Sequence, residues 1–109
     1  MIKNIAILFA SFFIAGCSLV SRPTKILTDE ELAIQKAQDL FKKSLKDGIA
    51  LSDGPCLSNE IIPDWVADVA HNPRQAIDDL PENQCSTFND GSAHHFVELD
   101  VAGRLIRAQ

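Results

Sequence analysis

Histidines, carboxylates and cysteines are the residues of this 109-residue chain whose types could do chemistry. The histidines are His71, His94 and His95. Adjacent strand residues point to opposite faces, so His94 and His95 cannot both ligate one ion from a regular strand. One of them, with His71 and an acid such as Asp68 or Glu98, could bind zinc or form a base–orienter pair. No His-x-x-x-His or His-Glu-x-x-His spacing supports this, and the competing expectation is a histidine bonded to a backbone carbonyl. The carboxylates Asp78, Asp79, Glu82 and Asp90, the last beside Gly91, could hold calcium, although their spacing fits no EF-hand loop. Otherwise they form solvated acidic loops. Trp65, beside Ile61-Ile62-Pro63, is either a partner anchor or core. No stretch has the pattern of a nucleophile constellation, a phosphate loop or a dinucleotide fingerprint.

The chain is 46% hydrophobic and carries a formal net charge of −5, which suits one small acidic domain. No basic face can be assembled, so nucleic acid is not an expected partner. The apolar share is concentrated at the start. Residues 1–16 hold one charge, Lys3, then an apolar run over Ile5–Ile14 and the small pair Ala15-Gly16. That run has the length of a signal-peptide core and is too short for about 30 Å of hydrocarbon. Ile14-Ala15-Gly16-Cys17 resembles the lipobox of bacterial lipoproteins. The resemblance implies removal of residues 1–16, a diacylglyceryl group on Cys17, and an exported protein anchored by lipid to the cell membrane or the outer membrane. No cofactor is expected beyond that lipid. Residues 17–27 then read as a tether of at most ~35 Å, with Arg22 and Lys25 facing an anionic surface. Ser18, rather than Asp, follows the cysteine, which in a two-membrane host implies outer-membrane delivery.

With Cys17 assigned to lipid, Cys56 and Cys85 remain, and in an exported domain such a pair is most simply a disulfide. A metal pair or a redox thiol competes, but no Cys-x-x-Cys spacing favours either. The bridge would close a loop worth roughly 3–4 kcal/mol on the chain-entropy model.

The elements that must position these groups lie within 28–109. Thr28 and Glu31 form a capping box, and the three acids Asp29, Glu30 and Glu31 complement the dipole at that end, as Lys42, Lys43 and Lys46 do at the other. A helix is expected over 29–47, with Ala33, Ala37, Phe41 and Leu45 as its apolar stripe, Leu40 and Ser44 widening it, and Gly48 at the stop. Pro55, Pro63, Pro73 and Pro81 break longer helices afterwards. Residues 64–71 fit a strand with Trp65, Ala67, Val69 and His71 on one face, or a short helix starting at Pro63; the valines and tryptophan favour the strand. Residues 94–100 and 104–107 flank Val101-Ala102-Gly103 as a β-hairpin, with His95, Val97 and Leu99 on one face and His94, Phe96 and Glu98 on the other. The expectation is an α+β domain: one helix across a three-stranded antiparallel sheet ending in that hairpin. The stretch from Gly54 to Arg107 also resembles small bacterial proteins of no assigned activity, which implies a domain boundary and no mechanism.

The expected function is a non-enzymatic envelope lipoprotein that binds another envelope protein or polymer, or stabilises an assembly. The alternative is a small metal-binding or hydrolytic domain using His71, His94 and His95 with nearby acids.

Overall fold

The computed structural model describes Ser11, Gly16 and residues 21–109. The rest of residues 1–20 lies outside the described residues, and with it Cys17, the expected lipidation site. Residues 21–28 run exposed and without regular structure into the first helix.

Helix α1 spans Asp29–Lys46. Its capping box is formed: Glu31 N donates to Thr28 Oγ1 at 3.2 Å, and Thr28 N donates to Glu31 Oε2 at 3.0 Å. Ala33, Ala37 and Phe41 are buried as the periodicity requires, but the fourth position of the stripe is Ser44, while Leu45 is 54% exposed. Helical geometry explains the difference. Twelve residues after Ala33 the direction has drifted by about 120°, whereas eleven residues return to within about 20°.

The sheet has four strands in the order β1 (Cys56–Ile62), β2 (Trp65–Val69), β3 (His95–Leu99) and β4 (Leu105–Ala108). The fold is α+β, with a C-terminal hairpin formed by β3 and β4. Two details differ from the expectation of three antiparallel strands. Cys56–Ile62 supplies an additional edge strand, and β2 pairs with β3 in parallel. The parallel pair is possible because residues 70–94 cross back over the sheet, far more chain than a hairpin needs. That crossover contains the cis Asn72–Pro73 bond, two 3-10 turns, Ala76–Asp79 and Pro81–Asn83, and the one-turn helix α2, Ser86–Asn89. Residues 64–71 are strand rather than helix over Trp65–Val69.

Alternation divides the sheet between two layers. Trp65, Ala67, Val69, Val97 and Leu99 pack with Ala33, Ala37 and Phe41 beneath α1. Val66 and Phe96 point the other way, into a smaller cluster with Cys56, Cys85 and Ala93 under the crossover. Cys56 and Cys85 are disulfide-bonded, with Cα atoms 5.0 Å apart, which fastens β1 to the start of α2. At the hairpin, Gly103 takes φ 83°, as its turn position requires, and the ring of Phe41 packs against it so closely that a Cβ there would stand 2.7 Å from Cδ1.

Candidate functional site

Strand register lines up one row of side chains across the crossover face. Cys56 pairs with Asp68, Asp68 with Glu98, and Glu98 with Arg107, one residue from each strand. Above this row lies a cleft of about 220 Å³, walled by Arg74, Phe88, Phe96 and the disulfide's Cys85. Glu98 is 8% exposed, and its Oε2 lies 3.5 Å from Arg74 Nη1 and 3.7 Å from Arg107 Nη2. Arg74 Nε also donates to Asp79 Oδ1 at 2.9 Å. The Arg107 guanidinium sits 5.1 Å from the centroid of Phe96, whose ring meets Phe88 edge to face at 5.4 Å.

Asp68 is the exception in this row. Its Oδ1 is buried with no hydrogen-bond partner among the described residues. Burial, and next the neighbouring Glu98 charge, push its carboxyl up to about 7, against the opposing pull of the Val69 N–H and Arg74. Two carboxyls therefore stand side by side in unlike surroundings, one flanked by guanidiniums and one with an oxygen that accepts no hydrogen bond among the described residues. Such a pair can accept a hydrogen bond or exchange a proton near neutral pH.

The histidines do not converge. His71 lies beyond the far end of β2 from the Trp65–His95 pairing, about 20 Å along the strand direction. Asp78, whose side chain is 1% exposed, takes Nδ1–H of His71 at 2.9 Å together with the backbone N–H groups of His71 (3.1 Å) and Gln75 (2.8 Å). Burial alone would raise this carboxyl, but these hydrogen bonds outweigh it and hold Asp78 below the usual carboxylate range. His94 and His95 instead share Asp64: His94 Nδ1 is 2.6 Å from Oδ1 and His95 Nε2 is 3.6 Å from Oδ2. The hydrogen bond from His94 is the chief reason Asp64 sits below its ordinary value. His94 precedes β3 and is free of the strand alternation, which is why both rings reach one carboxylate despite being adjacent. The acids facing the histidines are thus Asp78 and Asp64, not the expected Asp68 and Glu98. No group of three His, Cys, Asp or Glu among the described residues is arranged to hold a metal ion.

The acidic cluster is dispersed as well. Asp78 is buried, Asp79 pairs with Arg74, and Asp90 accepts from Ser92 N at 2.8 Å. Trp65 is core, stacked on His95 with ring centroids 4.7 Å apart.

Arg74 and Arg107 are the residues that sequence reasoning missed. Arg107 was within reach of it, because the hairpin about Gly103 sets Arg107 opposite Glu98. Arg74 was not, since only the folded crossover carries it to Glu98. No protein family model matches the chain, and no curated protein or solved structure is similar to it.

Proposed function

We propose that this protein is a lipid-anchored component of the cell envelope whose domain, residues 28–109, is a non-enzymatic binding module working through the Asp68–Glu98 cleft. The anchor rests on Ile14-Ala15-Gly16-Cys17 and the apolar run before it. One observation carries the binding role: Asp68 keeps a buried oxygen without a partner among the described residues, while Glu98, Arg74 and Arg107 beside it are engaged. Such burial costs stability, and a ligand donating to that carboxyl would offset the cost.

Crosslinking in native membranes, followed by recovery of the full chain, tests both parts. Cys17→Ser is expected to leave the membrane fraction and to take up no labelled fatty acid. Asp68→Asn is expected to stay on the membrane but to lose the crosslinked envelope protein or polymer that the unaltered chain retains. A Cys17→Ser chain that stays membrane-bound sinks the anchor, and an unchanged crosslinking pattern for Asp68→Asn sinks the binding site.

A second reading, a histidine-based hydrolytic or metal-binding module, rests on Asp64. This residue holds φ 71° in the β1–β2 turn and places one carboxylate against His94 and His95. Elemental analysis of protein purified without chelator, with zinc titration of wild type and His94→Ala, decides it. Bound zinc that the variant loses supports that reading; no ion and no heat of binding removes it.

A further inference from the structure

Counting charges in the cleft shows what it lacks. Glu98 on β3 faces two guanidiniums, Arg74 from the crossover and Arg107 from β4. Arg74 is further engaged by Asp79, and Arg107 lies over Phe96. Asp78, behind the cleft, is satisfied by His71 and two backbone N–H groups. Among the described residues Asp68 forms no ion pair within 4 Å, and its buried Oδ1 accepts no hydrogen bond. The missing partner is therefore a cation with N–H groups to donate. A bare divalent ion would need six or more oxygens, more than the cleft's two carboxyls and two side-chain amides supply. Beside the carboxyls the wall is apolar at Phe88, Phe96, Val66 and the disulfide and polar at Gln84 and Asn89, and the volume of about 220 Å³ is below that of a drug-sized pocket.

We infer that the cleft binds a primary ammonium group on a short apolar stem, with the ammonium on Asp68 and the stem against Phe88 and Phe96. This inference rests on the binding-module reading and names its ligand chemistry. A free amine and the end of a lysine side chain in a peptide share that chemistry.

Binding is linked to protons. The groups facing Asp68 are Glu98, Arg74 and Asp78, with Arg107 acting through Glu98, and together with burial they leave its carboxyl titrating at about 7. The amine stays protonated from pH 6 to pH 8, so the charge that changes at the contact itself is that of Asp68. Affinity should then be about tenfold greater at pH 8 than at pH 6.

The test is an NMR titration of the full chain in detergent micelles, with n-butylammonium, n-butanol, butyrate and Nα-acetyl-lysine amide as probes. The expected result is saturable binding of n-butylammonium, shifting the amides of Asp68, Phe88 and Phe96, with n-butanol and butyrate at least tenfold weaker. Binding should weaken about tenfold at pH 6 and vanish in Asp68→Asn, whose unchanged spectrum elsewhere reports an intact fold. Tighter binding of Nα-acetyl-lysine amide than of n-butylammonium assigns the site to peptide lysines, and the reverse assigns it to free amines. No saturable amine binding, equal binding of the alcohol, preference for butyrate, or binding that survives Asp68→Asn overturns the inference. If Asp68→Asn loses its crosslinked envelope partner while amines fail to bind, the ammonium ligand falls and the binding module stands.

Discussion

At the scale of single residues, the most consequential contact outside the cleft is that of Asp78 with Gly54. Gly54 adopts φ 73°, and a Cβ built there would lie 2.4 Å from Asp78 Oδ1 and 3.1 Å from Val69 O. The carboxylate cannot retreat, because His71 and Gln75 hold it through three N–H groups. Gly54→Ala therefore adds backbone strain to a collision and is expected to cost at least 2 kcal/mol, read as a lowered denaturant midpoint at unchanged slope. Asp78→Asn keeps the shape but turns one acceptor into a donor aimed at N–H groups, and should cost roughly 2–4 kcal/mol. Little of this was legible in the sequence. Asp78 looked like one of four loop acids and His71 like one of three histidines. What pairs them is the chain after β2, irregular over 70–75 and then the short 3-10 turn that carries Asp78, with no periodic signal. Cys56 and Cys85, in contrast, were readable by elimination, once the resemblance of Ile14-Ala15-Gly16-Cys17 to a lipobox set the third cysteine aside.

At the scale of elements, legibility follows how local the determinants are. Helix α1 carries its own start signal in Thr28 and Glu31 and its own apolar stripe, so it was recognisable within a residue at its end. The β3–β4 hairpin was equally plain, since Asp100 Oδ1 accepts from Ala102 N and Arg104 N around a glycine that the turn demands. Strand β1 was not. Its residues, Cys-Leu-Ser-Asn-Glu-Ile-Ile, lack clean alternation, and its pairing with β2 is interrupted by register shifts. The parallel β2–β3 pair was hidden for a related reason, because nothing in 70–94 resembles a crossover helix. Beyond a few hydrogen bonds that Ser86 and Thr87 donate to Asn59, the disulfide is what ties β1 to that crossover. Its 29-residue separation implies a contribution of roughly 3–4 kcal/mol. Cys56→Ala/Cys85→Ala, or reduction, should lower the melting temperature by about 10 °C or more, with the loss concentrated in hydrogen-exchange protection of β1 and α2. Equal melting of oxidised and reduced protein would contradict it.

At the scale of the whole molecule, the carboxyls divide into two opposed sets, and their sum fixes how stability varies with pH. Asp64, Asp78, Asp90, Asp100 and Glu31 all lie below their ordinary values in the folded protein. Each prefers to be ionised in the fold, so its stabilisation is present above the unfolded-chain value near 4 and is lost as pH falls. Asp68 works in reverse. Its folded value of about 7 means that the fold favours the neutral carboxyl, so its contribution is complete below pH 4 and is lost as pH rises to 7. The displacement from 3.8 to about 7 would amount to about 4 kcal/mol for a fully enclosed group, and the open side of the cleft reduces this to about 2 kcal/mol. Stability should therefore climb steeply out of acid, peak near pH 5 and decline until about pH 7.5, above which it levels. Urea titrations at half-unit pH intervals measure that curve. Asp68→Asn should leave the acid limb in place and flatten the decline, making the variant about 2 kcal/mol more stable than wild type at pH 8. An ammonium ligand should do the same at pH 8 by supplying the counter-charge, stabilising the unaltered chain in proportion to its occupancy. A stability gain from Asp68→Asn together with lost binding would identify Asp68 as a group kept for its ligand at the expense of the fold.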